Sequence, residues 1–149
     1  MKEIKTYHTN GQLKEHYYVL DGKLHGEYKY WYRSGEIYLH TYYFNGELHG
    51  AYKLWYHQGQ LATHSNYVNG QLHGEYKSWH LNGKLDVYLH YMNHQRHGES
   101  KQWDTEGNLI DYSFWVHDQE VTEQVVKLVT DMYNITQQER TLIKLAIGC

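Results

Sequence analysis

A repeat of 24 residues constrains this sequence more than any other feature. Residues 24–29, LHGEYK, return as LHGAYK at residues 48–53. His-Gly recurs at 25/26, 49/50, 73/74 and 97/98, Lys at 29, 53, 77 and 101, and Trp at 31, 55, 79 and 103. Strict periods in this range indicate an array of one supersecondary unit, stacked on its neighbours.

Turn-forming dipeptides identify the unit as a β-hairpin. They are Asn10-Gly11, Asp21-Gly22, Ser34-Gly35, Asn45-Gly46, Gln58-Gly59, Asn69-Gly70, Asn82-Gly83 and Glu106-Gly107, with Asn93-His94 at the place of another. Asn-Gly and Asp-Gly favour the type I′ hairpin turn, and the segments between are rich in Tyr, Trp, Val, Leu and Thr, which suit strands. The sequence predicts a mainly β fold: an elongated antiparallel hairpin meander of about ten strands over residues 1–116, with half a unit at 1–20 and four units at 21–116.

Two-residue turns also predict which residues face each other. A turn at Asp21-Gly22 places Tyr17 opposite Gly26, and the next turn places Gly26 opposite Tyr43. One face then collects most of the apolar columns: Leu13, Ile37, Leu61, Leu85 and Leu109; Leu24, Leu48 and Leu72; Tyr28, Tyr52 and Tyr76; and Tyr43, Tyr67, Tyr91 and Trp115. The glycines opposite that last column suggest aromatic rescue, in which a ring lies across a glycine.

The other face carries the lysine and tryptophan columns. These are our candidate partner-binding residues: Trp31, Trp55, Trp79, Trp103, Lys29, Lys53, Lys77 and Lys101. Equivalent residues are two strands, or ~9.6 Å, apart, so another side chain must lie between successive tryptophans. The row is either a second packed face or an exposed interaction stripe.

The last segment, residues 117–149, has a different period. Val121, Val125, Leu128, Val129 and Met132 follow helical spacing, and Thr136 with Glu139 forms a capping box for a second helix. We predict a short α-helical cap on the sheet, with a partner-binding or dimerising tail as the alternative.

These residues resemble a known repeat family. The phrase N-G-x-L-x-G-x-Y-x-x-W-Y-x-x-G-x-L, carried by residues 45–61, resembles the variant MORN repeat over about residues 1–116. The fourth copy departs from the pattern at His94, Arg96, Ser100 and Asp104. The resemblance implies an elongated hairpin sheet of the kind found in bacteria and giant DNA viruses, and a role in protein scaffolding, self-association or acidic-phospholipid binding.

The net charge, the start of the chain and the cysteine content indicate the class of partner and the cellular location. The net charge of −3 argues against a nucleic-acid partner. The start of the chain has no apolar signal segment, and Cys149 is the single cysteine. We therefore expect a cytoplasmic protein, or one in the host cytoplasm if the source is viral.

The sequence offers no constellation for catalysis, because its reactive residues form columns and not a single cluster. The histidine columns recur two strands apart, which is too far for shared coordination of a metal. We expect no enzyme activity, no metal and no cofactor. The leading hypothesis is a non-catalytic scaffold that binds a protein or a second copy of itself, and the alternative is peripheral binding to acidic phospholipid membranes.

Overall fold

The computed structural model describes residues 1–122, which form one open antiparallel sheet. Its strands are β1 (Lys2–Tyr7), β2 (Leu13–Leu20), β3 (Lys23–Trp31), β4 (Ile37–Phe44), β5 (Glu47–Trp55), β6 (Leu61–Val68), β7 (Gln71–Leu72), β8 (Gly74–Trp79), β9 (Leu85–Met92), β10 (Gln95–Trp103), β11 (Leu109–Val116) and β12 (Gln119–Glu120). The strands pair in sequence order, except that β6 pairs with both β7 and β8, which do not pair with each other. The predicted hairpin meander is confirmed.

Two short strands account for the difference from the predicted ten. β7 and β8 occupy the place that the single strand β5 fills in the preceding unit, interrupted at His73. β12 follows a further turn at His117-Asp118, one 24-residue period after Asn93-His94, and it uses residues that we had assigned to the cap. The predicted helices beyond it lie outside the described residues, apart from Val121 and Thr122, which are in neither helix nor strand.

Two kinds of turn alternate along the chain. At Asp21-Gly22 both residues have positive φ, 51° and 77°, as a type I′ turn requires. At Asn10-Gly11 only the glycine does, with φ 84°. There Gly11 N donates to His8 O at 2.9 Å and His8 N donates to Gln12 O at 2.8 Å, which makes a three-residue loop. Our type I′ assignment was wrong for Asn10-Gly11, because the length of the loop, and not the dipeptide alone, selects the turn.

A one-residue bulge follows each three-residue loop. Tyr30 pairs with Leu39 but Trp31 pairs with Ile37, so Tyr38 is the extra residue. A shift of one residue exchanges the two faces of a strand. The column Leu13, Ile37, Leu61, Leu85 and Leu109 therefore lies on the tryptophan side of the sheet, and not on the face that we predicted for it.

A second bulge explains the repeated glycines. Tyr17 pairs with Tyr28 and Val19 pairs with Leu24, so the prediction of Tyr17 opposite Gly26 was wrong. Three residues of β3 span the place of one on β2, and a shift of two leaves the faces unchanged. Gly26 does pair with Tyr43 on its other side, as predicted. A Cβ on Gly26 would meet nothing within 4 Å, so its φ of 89°, and not a ring across it, is the reason for glycine.

The sheet is a single layer among the described residues. None of their apolar side chains is fully buried, and only Thr41 and Ser65, each 1 % exposed, are. Thr41 pairs with Tyr28 on one side and Tyr52 on the other. Small polar residues in the middle of the sheet are thus enclosed by the larger tyrosines beside them.

Tyrosine rings cover that side of the sheet, which we call the tyrosine face: Tyr17, Tyr28, Tyr43, Tyr52, Tyr67, Tyr76 and Tyr91. Ring centroids are 5.6 Å apart for Tyr17 and Tyr28, 5.8 Å for Tyr28 and Tyr43, and 5.6 Å for Tyr52 and Tyr67. Partial burial raises the pKa of Tyr43, Tyr52 and Tyr67. Rings in pairs replace an aliphatic core.

The fourth unit keeps this packing with different residues. Arg96 stands in the Leu24 column, and its guanidinium carbon lies 3.6 Å from the centroid of the Trp115 ring. Ser100 replaces the tyrosine of the other units. An arginine over a tryptophan ring is a favourable cation–π arrangement, so the departure at Arg96 preserves contact with the opposing aromatic residue.

Candidate interaction surface

One side of the sheet carries a continuous ladder of polar side chains, which we call the charged face. Nine successive cross-strand pairs join its members from β1 to β11. In spatial order they are Lys5, His16, Lys29, His40, Lys53, His64, Lys77, Tyr88, Lys101 and Tyr112. The 24-residue period sets both components of the ladder, since lysines alternate with histidine or tyrosine on the strands between.

A row of glutamates flanks the lysines. In the half unit and in three of the four full units the glutamate lies two residues before the lysine on the same strand, and the Nζ–carboxylate distances are 2.7–2.8 Å. Hydrogen bonding from Lys29 is the main reason that the pKa of Glu27 is lowered. These pairs are partly exposed, so each contributes little to stability. Their effect is to neutralise most of the lysine row.

The strands between contribute a second partner to each carboxylate. His16 Nε2 lies 2.7 Å from Glu3 Oε1, and His40 Nε2 lies 2.9 Å from Glu27 Oε1. On the later units Tyr88 OH donates to Glu75 Oε1 at 3.2 Å. Each glutamate therefore bridges its own strand and the next one.

The central unit breaks this pattern. Ala51 stands where the other units have glutamate, and Lys53 has no ion pair within the described residues. His64 pairs in register with Lys53 on one side and with Lys77 on the other. Burial, followed by the charges of Lys53 and Lys77, lowers the pKa of His64, with a smaller opposing effect of Glu75. At the centre of the charged face, Lys53 therefore carries positive charge without a carboxylate partner among the described residues.

The tryptophans lie at the ends of β3, β5, β8 and β10, two residues beyond the lysines. All four are half-buried. Trp31 directly opposes Ile37, and Trp55, Trp79 and Trp103 oppose Leu61, Leu85 and Leu109. The residues between successive tryptophans are therefore aliphatic. We call this alternating series the tryptophan row.

Side chains from the preceding unit bind the tryptophan backbone. Tyr32 OH donates to Trp55 O at 2.8 Å, and Tyr56 OH donates to Trp79 O at 2.8 Å. His8 and His80 contact Trp31 O and Trp103 O in the same way, each at 2.9 Å. Sequence reasoning missed this column, although its signal was the recurrence of His or Tyr at 8, 32, 56 and 80. These hydrogen bonds connect each hairpin to the next one at the tryptophan residues.

No three His, Cys, Asp or Glu side chains in residues 1–122 gather closely enough to hold a metal ion. Residues 1–122 also contain no helix with the length and apolar character needed to cross a membrane.

The family follows from the hairpin repeat. A family model described as MORN repeat variant matches residues 2–20, 24–45, 48–69 and 72–93, which together make up more than half of the chain. The chain belongs to the MORN repeat variant family. Each matched MORN stretch corresponds to a hairpin closed by a three-residue loop, and the first, 2–20, is the hairpin β1–β2. The departing fourth copy is not matched, although it forms the hairpin β10–β11.

MORN repeats form a non-enzymatic repeat family, which is consistent with a scaffold or binding role. No curated protein matches the chain as a relative. Membership of the family therefore indicates the architecture and the broad class of role. The charged face and the tryptophan row are the candidate binding surfaces.

Proposed function

We propose that this MORN-repeat chain is a non-catalytic interaction module that binds a protein partner through its charged face and tryptophan row. The observation that supports this most is the single-layer sheet. None of the apolar side chains in residues 1–122 is fully buried, so contact with a partner can bury more of them. Apolar surface rimmed by polar residues is typical of interaction sites.

The charged face favours a protein over the alternative partners. Its lysines alternate with histidines and tyrosines, and four of them have a glutamate within 2.8 Å. A surface of alternating sign suits a partner with its own pattern of charges. A second copy of the chain is one such partner, because a two-fold axis brings the same patch of both copies together and can place glutamate rows on lysine rows.

Acidic phospholipid remains the alternative. Membrane attraction needs clustered Lys or Arg near the anionic surface, and the glutamates beside Lys5, Lys29, Lys77 and Lys101 weaken it. Flotation with phosphatidylserine liposomes at two salt concentrations tests this reading, since electrostatic binding fades as salt rises. Flotation at low salt that disappears at high salt supports lipid binding, and no flotation at low salt discards it.

Affinity capture from the native cell, with mass spectrometry, tests the proposal directly. The informative variant is Trp55→Leu with Trp79→Leu, which removes two rings from the tryptophan row but keeps apolar side chains there. The matched control is Tyr67→Leu with Tyr91→Leu, the same kind of change on the tyrosine face. We expect the first pair to lose the partner and the second to keep it.

Thermal melting of both variants makes the comparison interpretable, since all four residues are half-buried. If the two variants melt at similar temperatures and only the tryptophan variant loses the partner, the result supports binding by the tryptophan row. Equal capture by both contradicts the proposed surface. Loss of capture by the tyrosine pair alone assigns binding to the tyrosine face.

A further inference from the structure

The central unit differs from the others at two facing positions of the charged face. Glutamate is replaced by Ala51, and the residue opposite it is Asn66. In the other units the glutamate opposes a ring: Glu3 with Tyr18, Glu27 with Tyr42, Glu75 with His90, and Glu99 with Phe114. The same unit has therefore lost a carboxylate and the bulk of an aromatic ring at one place.

Hydrogen-bond donors surround that place. Lys53 lies two residues beyond Ala51 on the same face, and His64 is paired with Lys53. The Lys53 ammonium, the His64 ring and the Asn66 amide make no side-chain hydrogen bond or ion pair within residues 1–122, whereas the corresponding lysines of the other units all do. These three donors lie beside the methyl group of Ala51 and have no acceptor of their own among residues 1–122. The arrangement therefore favours an acceptor that another molecule supplies.

The neighbouring units show which acceptor fits. Glu27 Oε1 lies 2.8 Å from Lys29 Nζ and 2.9 Å from His40 Nε2, so one carboxylate oxygen contacts both side chains. The first unit repeats the arrangement around Glu3. Lys53 and His64 occupy the same register positions as Lys29 and His40, which makes the central unit a copy of this arrangement without its carboxylate.

We propose that Lys53, His64 and Asn66 bind a carboxylate supplied by another molecule, namely an acidic side chain of the protein partner. The inference rests on the proposed function for the identity of that molecule, and it specifies where the partner's acidic residue docks. The partner's carboxylate takes the place that glutamate holds in the other units, accepts from Lys53 and His64, and has the Asn66 amide beside it. Charge-assisted hydrogen bonds of this kind are stronger than neutral ones.

Protonation of His64 is coupled to this binding. The titratable groups that face His64 are Lys53 on β5 and Lys77 with Glu75 on β8. Both lysines, with burial, hold its pKa below the ordinary value, and a bound carboxylate opposes them. Binding therefore takes up a proton, and affinity rises as the pH falls through the pKa of His64, until the carboxylate itself protonates near pH ~4.

NMR of the histidine rings tests the site with defined probes. The probes are acetate and N-acetyl-glutamate amide, with N-acetyl-glutamine amide as the uncharged match, and His64→Gln identifies the His64 signal. We expect both carboxylates to shift the His64 signal in a saturable way and to raise its pKa, whereas the glutamine compound does neither. His16 and His40, which already have glutamate partners, should not respond and serve as internal controls.

Ala51→Glu is the decisive variant, because it restores the residue that four other units carry at this position and so should fold. We expect it to raise the pKa of His64, as a nearby opposite charge does, and to abolish the response to both carboxylates. An unchanged His64 signal in the wild type at saturating acetate overturns the site. A response of Ala51→Glu equal to that of the wild type also overturns it, and tighter binding of inorganic phosphate than of acetate overturns the assignment to carboxylate.

Partner capture with Ala51→Glu separates this inference from the proposed function. Loss of a partner that wild type captures supports docking of an acidic side chain at the site. Retained capture, together with a positive acetate response, overturns the docking role while leaving the interaction module intact. Wild-type chain that captures no protein contradicts the proposed function, and the acetate titration still decides whether the site binds a carboxylate.

Discussion

Gly26 is the residue at which two explanations of the repeat predict different energetics. Its φ is 89°, and a Cβ placed on it meets no heavy atom within 4 Å. Gly26→Ala should therefore cost only the backbone strain of an L-residue in a left-handed conformation, about 1 to 2 kcal/mol of unfolding free energy. If the Tyr43 ring instead filled the space above the glycine, the added methyl would collide with that ring.

Chemical denaturation of four proteins distinguishes the two explanations. They are wild type, Gly26→Ala, Tyr43→Ala and the double variant. Strain at Gly26 is independent of the ring, so we expect the two losses of unfolding free energy to add to within about 0.5 kcal/mol. Gly26→Asn is the steric control, because asparagine is larger than alanine but tolerates positive φ better.

The bulge explanation predicts that Gly26→Asn is less destabilised than Gly26→Ala. A loss that grows with side-chain size, or a Gly26→Ala penalty that vanishes when Tyr43 is removed, refutes the reasoning and restores aromatic rescue.

Three further changes probe other parts of the fold. Tyr28→Phe removes the hydroxyl that donates to Glu15 Oε1 at 2.8 Å and should cost about 1 to 2 kcal/mol in urea denaturation, because the acceptor is charged; no measurable loss would contradict the contact. His94→Gly should stabilise the chain by about 0.5 to 1 kcal/mol in the same assay, because His94 has φ 69° and glycine adopts that conformation without strain; a loss would contradict this turn geometry. The pKa of Glu27 is lowered, chiefly by its hydrogen bond with Lys29, so its contribution is present above pH ~4.5 and disappears as the pH falls through the lowered folded pKa. Glu27→Gln should make the decline of unfolding free energy between pH 6 and pH 3 shallower than in wild type, and an identical decline would show that Glu27 does not contribute.

The 24-residue period predicted the fold well because each unit forms the same hairpin and packs against its neighbours through the same residue columns. The turn dipeptides located ten of the strands, and the pairing of Gly26 with Tyr43 followed from counting residues across a turn. Counting failed where a bulge adds residues. The loop at Asn10-Gly11 has three residues, so the true register requires a compensating extra residue, and nothing in the Asn-Gly dipeptide signals either one.

The sequence predicted where the lysine and tryptophan columns lie in the sheet but not the irregularity of the central unit, and partner binding by these residues stays a prediction. The lysine and tryptophan columns lie in rows across the sheet, as the 24-residue period requires. The tryptophans are half-buried against Ile37, Leu61, Leu85 and Leu109 because the bulges bring that column to their side. The signal of the carboxylate site was a deviation from the repeat, Ala51 for glutamate, and it acquired meaning only when the register placed Asn66 opposite it.

Interstrand NMR contacts along the charged face test the central claim most directly, because every proposed surface depends on one continuous series of cross-strand pairs from Lys5 to Tyr112. The account predicts a continuous chain of backbone contacts that joins Lys53 to His40 on one side and to His64 on the other, and continues in both directions to Lys5 and Tyr112. Contacts displaced by one residue would place these side chains on opposite faces of the sheet. Missing contacts between the strands that the type I′ turns connect would divide the sheet into separate hairpins. Either result would contradict the account.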